Sequence, residues 1–186
     1  MTQQTVKKGQ GKFTWQDYLA WPDDERWEVI DGRAYDMTPS PTTRHQRIVG
    51  NFFRILANRL SGGACAVFVA PLDVYFDDSN FVQPDVMVVC DKVKIRDRIH
   101  GAPDLIVEVL SPATSLKDKR EKKSLYERFG VSEYVIVYPE EMFVERYFLA
   151  DGRYGEADVL GVEDALPMRF LEGVEVSLRE VFDANL

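Results

Sequence analysis

Apolar runs rich in β-branched residues alternate along this chain with stretches whose apolar residues recur at helical spacing. The clearest grouping is a strand–helix–strand unit between Gly101 and Pro139. Leu105-Ile106-Val107 and Val109-Leu110 form a run of the kind covered on both faces of a sheet, interrupted by one acid, Glu108. A carboxylate in that setting loses hydration and needs a cation, a proton or hydrogen bonds in return. Ser111-Pro112 closes the strand, because proline cannot donate to the ladder. A helix is predicted from about Leu116 to Phe129, with Gly130 placed to cap its C-terminus. At about 100° per residue, Asp118, Lys122, Leu125 and Phe129 share one stripe, with Tyr126 at its edge. Lys122 then stands among apolar positions that face the sheet. Tyr134 to Tyr138 supplies the second strand and completes a crossover.

The remaining pattern places a short helix from Thr14 to Leu19, opened by Thr14 and Asp17 as a capping box. A hairpin follows, Arg26 to Asp31 and Arg33 to Met37, turning at Gly32. Glu28 is the one acid in the apolar half of its first strand, and the pattern alone reads it as an exposed edge charge. Thr42 or Thr43 caps a helix running to about Leu60, with Ile48, Phe52, Ile55, Leu56 and Leu60 in helical phase. His45 lies in its first turn, where a surface or packing role is the ordinary one. Ala64 to Val69, Leu72 to Phe76 and Phe81 to Val89 read as three strands, the last containing Asp85 directly after Pro84. Met142 to Leu149 and Tyr154 to Leu160 read as a second hairpin. A strand near Val174 to Val176 precedes a short helix capped by Ser177 and Glu180. This order predicts a mixed α+β domain over residues 13–186, preceded by a flexible tail over 1–12.

Composition narrows the class. The 186 residues are 45% hydrophobic and 29% charged, which excludes global disorder. A net charge of −8 argues against a protein that grips nucleic acid through its overall field. A basic loop, Lys92 to His100, keeps a local site open. Cys65 and Cys90 lie in apolar, strand-like context and are expected to be separate buried thiols in a reducing compartment. The polar N-terminus lacks the apolar core of a signal peptide, and no run reaches bilayer length. A cytoplasmic protein without a membrane partner is expected.

Asp85, Glu108 and Lys122 carry the candidate chemistry. Two neighbouring strands that each place a carboxylate near one end of a sheet make a hard oxygen site suited to Mg²⁺, or Mn²⁺. An ion between them would relieve their repulsion and polarise a phosphoryl oxygen. A lysine beside it could orient water or stabilise transition-state charge. The alternative is a structural pairing of Lys122 with Asp118 one turn earlier. Ser111 is a poor nucleophile candidate, because its Ser-Pro context fits a turn and no histidine is placed as its base.

Pro84-Asp85 followed by Glu108-Val109-Leu110 resembles the PD-(D/E)XK signature of restriction-endonuclease-like nucleases. More specifically, Glu28 to Gly32, PDVMVV from Pro84, PDLIVEVLSP from Pro103 and DKREKKSLYERFGVSEY from Asp118 resemble the Uma-two family. The resemblance implies a restriction-endonuclease-like fold, a central mixed sheet flanked by helices with added hairpins. It implies an Mg²⁺-dependent endonuclease acting on DNA, with Asp85 and Glu108 as metal ligands and Glu28 as a further acid. Because nucleases that cut two strands often act in pairs, a homodimer is the assembly to look for. One position departs: the superfamily lysine two residues after the second acid is Leu110 here. Lys122 on the next helix offers the same ammonium, and Lys122 and Tyr126 stand where some related nucleases carry a glutamine and a tyrosine. His45 completes the set of accessory candidates. The competing reading is a non-catalytic interaction or regulatory protein that keeps the fold.

Overall fold

The computed structural model describes residues 12–22, 24–37, 40–111 and 118–183. Most of the expected tail and the start of the helix placed after Ser111 lie outside them. Lys12, assigned to that tail, instead packs on Gly32, where an added Cβ would fall 2.8 Å from the Lys12 Cβ.

The chain opens with α1 (Trp15–Tyr18), where the Thr14 hydroxyl accepts from the Asp17 amide and the Asp17 carboxylate accepts from the Thr14 N–H at 2.7 Å. Strands β1 (Trp27–Ile30) and β2 (Arg33–Asp36) form the expected hairpin. Its two turn residues, Asp31 and Gly32, both have positive φ, the geometry that matches strand twist in tight hairpins. Helix α2 (Thr43–Arg59) is capped by Thr42. Then come β3 (Ala66–Val69), β4 (Val74–Asp77), β5 (Asn80–Val82), β6 (Val86–Val89), β7 (Ile99–His100) and β8 (Leu105–Val109). A π-helical turn over Asp118–Lys122 leads into α3 (Lys123–Phe129), which ends at Gly130 with φ 84°. Strands β9 (Glu133–Tyr138), β10 (Phe143–Ala150), β11 (Arg153–Tyr154), β12 (Asp158–Gly161), β13 (Ala165–Pro167) and β14 (Glu175–Ser177) precede α4 (Leu178–Val181).

Two sheets organise most of these elements, and β13 and β14 pair antiparallel with each other. The larger runs β11-β10-β9-β8-β6-β3, with β12 also on β10. It is mixed, because β8 and β9 are parallel through the α3 crossover while β6 is antiparallel to β8. The smaller runs β2-β1-β5-β4-β7. Alternation along the strands sets the layers. Val86, Val88, Leu105, Val107, Val109, Val135 and Val137 pack with Ile48, Phe52 and Leu56 of α2. Met87, Ile106, Tyr134 and Ile136 face the other way, onto Leu125 and Tyr126 of α3 and onto Ile30, Val74 and Val82 of the smaller sheet. The outer face of that sheet, Trp27, Val29 and Phe81, is covered by Trp15.

Three expectations are corrected. The single strand Phe81 to Val89 is two strands in different sheets, β5 and β6, because Pro84 has no N–H and the chain changes layer there. The segment Tyr154 to Leu160 is likewise divided between β11 and β12, and β13 went unseen. Cys65 and Cys90 are joined in a disulfide, with Cα atoms 3.8 Å apart. The antiparallel register Ala66↔Val89 brings the residues just outside each strand face to face, a pairing that neither cysteine's local sequence encodes. Among the described residues no helix is long and apolar enough to cross a membrane.

Phe52 is fully buried between α2 and the larger sheet. Phe52→Ala is expected to lower unfolding free energy by about 3–5 kcal/mol in urea titrations, from lost burial and the cavity left behind.

Candidate active site

The site lies where β1 of the smaller sheet, β8 of the larger sheet and α3 meet. Ile106 faces α3, so Glu108, two residues on, faces α3 as well. Ile30 faces the larger sheet, so Glu28 also points inward between the sheets. Both carboxylates are buried, and so is Lys122 at the end of the π-helical turn. The Lys122 Nζ is 2.8 Å from Glu108 Oε1 and 2.8 Å from Glu28 Oε1. Tyr126 OH donates to Glu108 Oε1 at 2.7 Å. The Gln83 backbone N–H donates to Glu28 Oε1 at 3.0 Å.

Asp85 sits just before β6. Extending the register Val86↔Val107 by one residue sets Asp85 opposite Glu108. Its Oδ2 accepts from the Val109 N–H at 2.8 Å and lies 3.2 Å from His45 Nε2. The Asp85 side chain keeps 20% exposure, so water can reach it. His45 arrives from the opposite layer: Thr42 caps α2 by accepting from the His45 N–H, and the first helical turn lays the ring on Asp85. One acid is thus clamped from the α2 side and the other from the α3 side, at the same end of two paired strands.

The surroundings are acidic beyond these groups. Burial raises the Asp73 carboxyl above the ordinary range, a hydrogen bond from Gln83 opposes this, and the negative charge of Glu28 adds to it. Glu28 and Glu108 share the one Lys122 ammonium, while Asp85 lies against His45. Among the described residues no group of three or more His, Cys, Asp or Glu side chains is placed to hold a metal as a cage. The donors fit the other mode, in which Mg²⁺ takes one or two carboxylates and completes its shell with water and substrate oxygens.

Residues 15–179 match the family model described as "Uma2: Putative restriction endonuclease". The chain belongs to the Uma2 family. It is 30% identical over 148 residues to the uncharacterized protein slr1290 of Synechocystis sp., covering 75% of this chain and 76% of that one. A second uncharacterized Synechocystis protein, sll1609, is 25% identical over 154 residues, covering 80% and 86%. The crystal structure of a putative nuclease belonging to DUF820 from Anabaena variabilis superposes with a TM-score of 0.79 at 20% identity, over 94% of this chain and 99% of that one. The fold of this Uma2 chain is therefore restriction-endonuclease-like, with mixed sheets flanked by helices.

Within the Uma2 frame the expected residues fall unevenly. Lys122 and Tyr126 both reach Glu108, and Lys122 occupies the inward position its helical phase assigned. The Asp118 side chain, its alternative partner, lies outside the described residues. Glu28 is not an exposed edge charge but fully buried, because β1 is covered by the larger sheet. His45, expected in a surface or packing role, is buried, since the helix cap turns it inward. Gln83 was missed; the signal was the proline after it, which ends β5 and frees the Gln83 amide for Glu28. Within the basic loop, Lys94 donates to the Ala102 carbonyl and Arg96 to the Val93 carbonyl, while Arg98 lies over the Trp15 ring. Arg44, the residue before His45, donates to the Pro139 carbonyl and pairs with Glu140, and Lys119 lies 4.5 Å over the Tyr138 ring.

Removing one partner of a buried charge cluster leaves the others without compensation. Lys122→Met is expected to cost about 3–5 kcal/mol, and Tyr126→Phe roughly 1–3 kcal/mol, both read from urea unfolding. Equal, small effects would mean that water already solvates the cluster.

Proposed function

We propose that this chain is a metal-dependent nuclease that hydrolyses phosphodiester bonds of DNA, with Asp85 and Glu108 holding Mg²⁺ or Mn²⁺. The observation that carries this reading is Lys122 Nζ at 2.8 Å from both Glu108 and Glu28, buried next to a second strand-end acid. An ammonium held there sits beside the carboxylate that would bind the ion, the relation between second acid and lysine in the PD-(D/E)XK pattern. Leu110 shows why another position must supply it. When bound, the ion would polarise a phosphoryl oxygen and offset the charge that builds on it.

The protein groups have separate tasks. Asp85, oriented by the Val109 amide and His45, offers the more solvent-accessible carboxylate. Glu108 is fixed by Lys122 and Tyr126, so its second oxygen keeps a constant direction. Lys122 stabilises negative charge on the reacting phosphate without reorganising, because both glutamates already hold it. Arg44 and Lys119 give the flanking phosphates a place to rest, which a chain of net charge −8 otherwise lacks.

In a plasmid-cleavage assay with Mg²⁺ or Mn²⁺, wild type is expected to nick or linearise DNA. Asp85→Ala should lose about 100-fold or more in rate, on the scale of removing a transition-state electrostatic contact. No cleavage by wild type with either ion, over a range of DNA and RNA substrates, would favour the non-catalytic reading. In a parallel thermal-shift experiment, millimolar Mg²⁺ is expected to raise the wild-type Tm by mass action on the folded state. Glu108→Gln should lose most of that gain, whereas equal shifts would place the ion elsewhere.

A further inference from the structure

On the outer face of the smaller sheet, across it from the acid cluster, lies a cavity of about 300 Å³ whose lining includes Trp15, Tyr18, Leu72, Asp73, Gln83 and Arg98. That volume stands at the lower end for small-molecule sites, the scale of one flat ring system with its attachment. Leu19 on the same lining is 60% exposed, one of four large hydrophobic side chains the described residues leave open to solvent. The site and the cavity share Gln83. Its backbone N–H donates to Glu28, while its side chain lines the cavity.

The polar groups are held in place from outside the cavity. Gln83 Oε1 accepts from Arg26 Nε at 3.1 Å and from Arg26 Nη2 at 2.7 Å, which fixes the amide so that Nε2 donates to Asp73 Oδ1 at 2.9 Å. Asp73 Oδ2 has no hydrogen-bond partner among the described residues. The Arg98 guanidinium lies 4.1 Å over the Trp15 ring and is tied to Asp97. The lining thus offers an oriented carboxylate acceptor, a guanidinium stacked on Trp15, and the Tyr18 side chain.

We propose that this cavity binds a guanine base presented by an unpaired stretch of the nucleic-acid strand. A free phosphate is disfavoured by Asp73 and Asp97. A cationic ligand is disfavoured because Arg98 already covers the Trp15 face. A planar, neutral ring with donors and an acceptor on one edge suits both groups. Guanine alone among the common bases sets two adjacent N–H donors, which a carboxylate can accept together, beside a carbonyl that can accept from Arg98. The base has to be out of the duplex stack to enter. Gln83 and Asp85 are two residues apart, at most about 7 Å between Cα atoms, so a base seated there places its own or the next phosphate near the acids. The inference rests on the nuclease reading only for the source of the base.

The test is metal-free calorimetric titration with guanosine 5′-monophosphate and inosine 5′-monophosphate. The two carry the same phosphate and differ by the 2-amino group. Saturable guanosine binding is expected, with inosine weaker by about 10-fold or more, the worth of one hydrogen bond to a charged acceptor. Asp73→Asn should erase the difference. Absent saturation, or equal affinity for the two nucleotides, overturns the proposal on wild type alone, whatever the variant does. Selective binding by a protein that cleaves nothing would leave the cavity assignment standing and sink the nuclease reading; cleavage without selective binding would do the reverse.

Discussion

Three charged side chains buried between two sheets set the terms for everything near them. Taking Glu28, Glu108 and Lys122 out of water costs several kcal/mol per ion, and mutual attraction offsets this only if geometry is close and the remaining lone pairs are satisfied. Both conditions are met. The ammonium is equidistant from the two carboxylates, Tyr126 donates to one and the Gln83 amide donates to the other. The requirement fixes where α3 begins, because Lys122 must come off the π-helical turn on the inner face. It also fixes the separation of the sheets, because β1 and β8 must each bring one acid to the same nitrogen.

The layer change at Pro84 links this cluster to the rest. It ends β5 in one sheet and starts β6 in the other, so the two residues flanking the proline serve both sides. Gln83 holds Glu28 through its main chain, and Asp85 stands opposite Glu108 at the mouth of the larger sheet. Asp85 is held from the far layer by His45, so α2 and α3, on opposite faces, orient the two carboxylates of one site. Such an arrangement limits rotation of the acids while leaving Asp85 open to water.

Much of this was legible in the sequence, and what was not has a physical reason. The inward phase of Lys122 and the anomalous acid at Glu108 could be read because helix and strand periods fix side-chain direction locally. The β8–α3–β9 crossover was readable for the same reason. Glu28 was misread because its burial depends on a second sheet covering β1, a tertiary fact. His45 was legible as a packing or accessory residue, but its contact with Asp85 depends on capping geometry, which periodicity does not carry. The disulfide between Cys65 and Cys90 follows from the β3–β6 register, which neither strand specifies alone. The division of Phe81 to Val89 was marked by Pro84, whose missing N–H is a strong strand breaker; the apolar pattern on either side concealed it.

In the proposed nuclease, Lys122 supplies from the helix the charge that the superfamily pattern carries at the position of Leu110. Ile106, Glu108 and Leu110 share the α3 face of β8, and Leu110 packs in that same layer, so a lysine at 110 could reach the cluster. The direct measurement is metal-dependent plasmid cleavage by Lys122→Met and by the Leu110→Lys, Lys122→Met double variant, each verified as folded by circular dichroism at the assay temperature. The account predicts that Lys122→Met loses cleavage and that the double variant recovers part of it. Cleavage by folded Lys122→Met at the wild-type rate would contradict it.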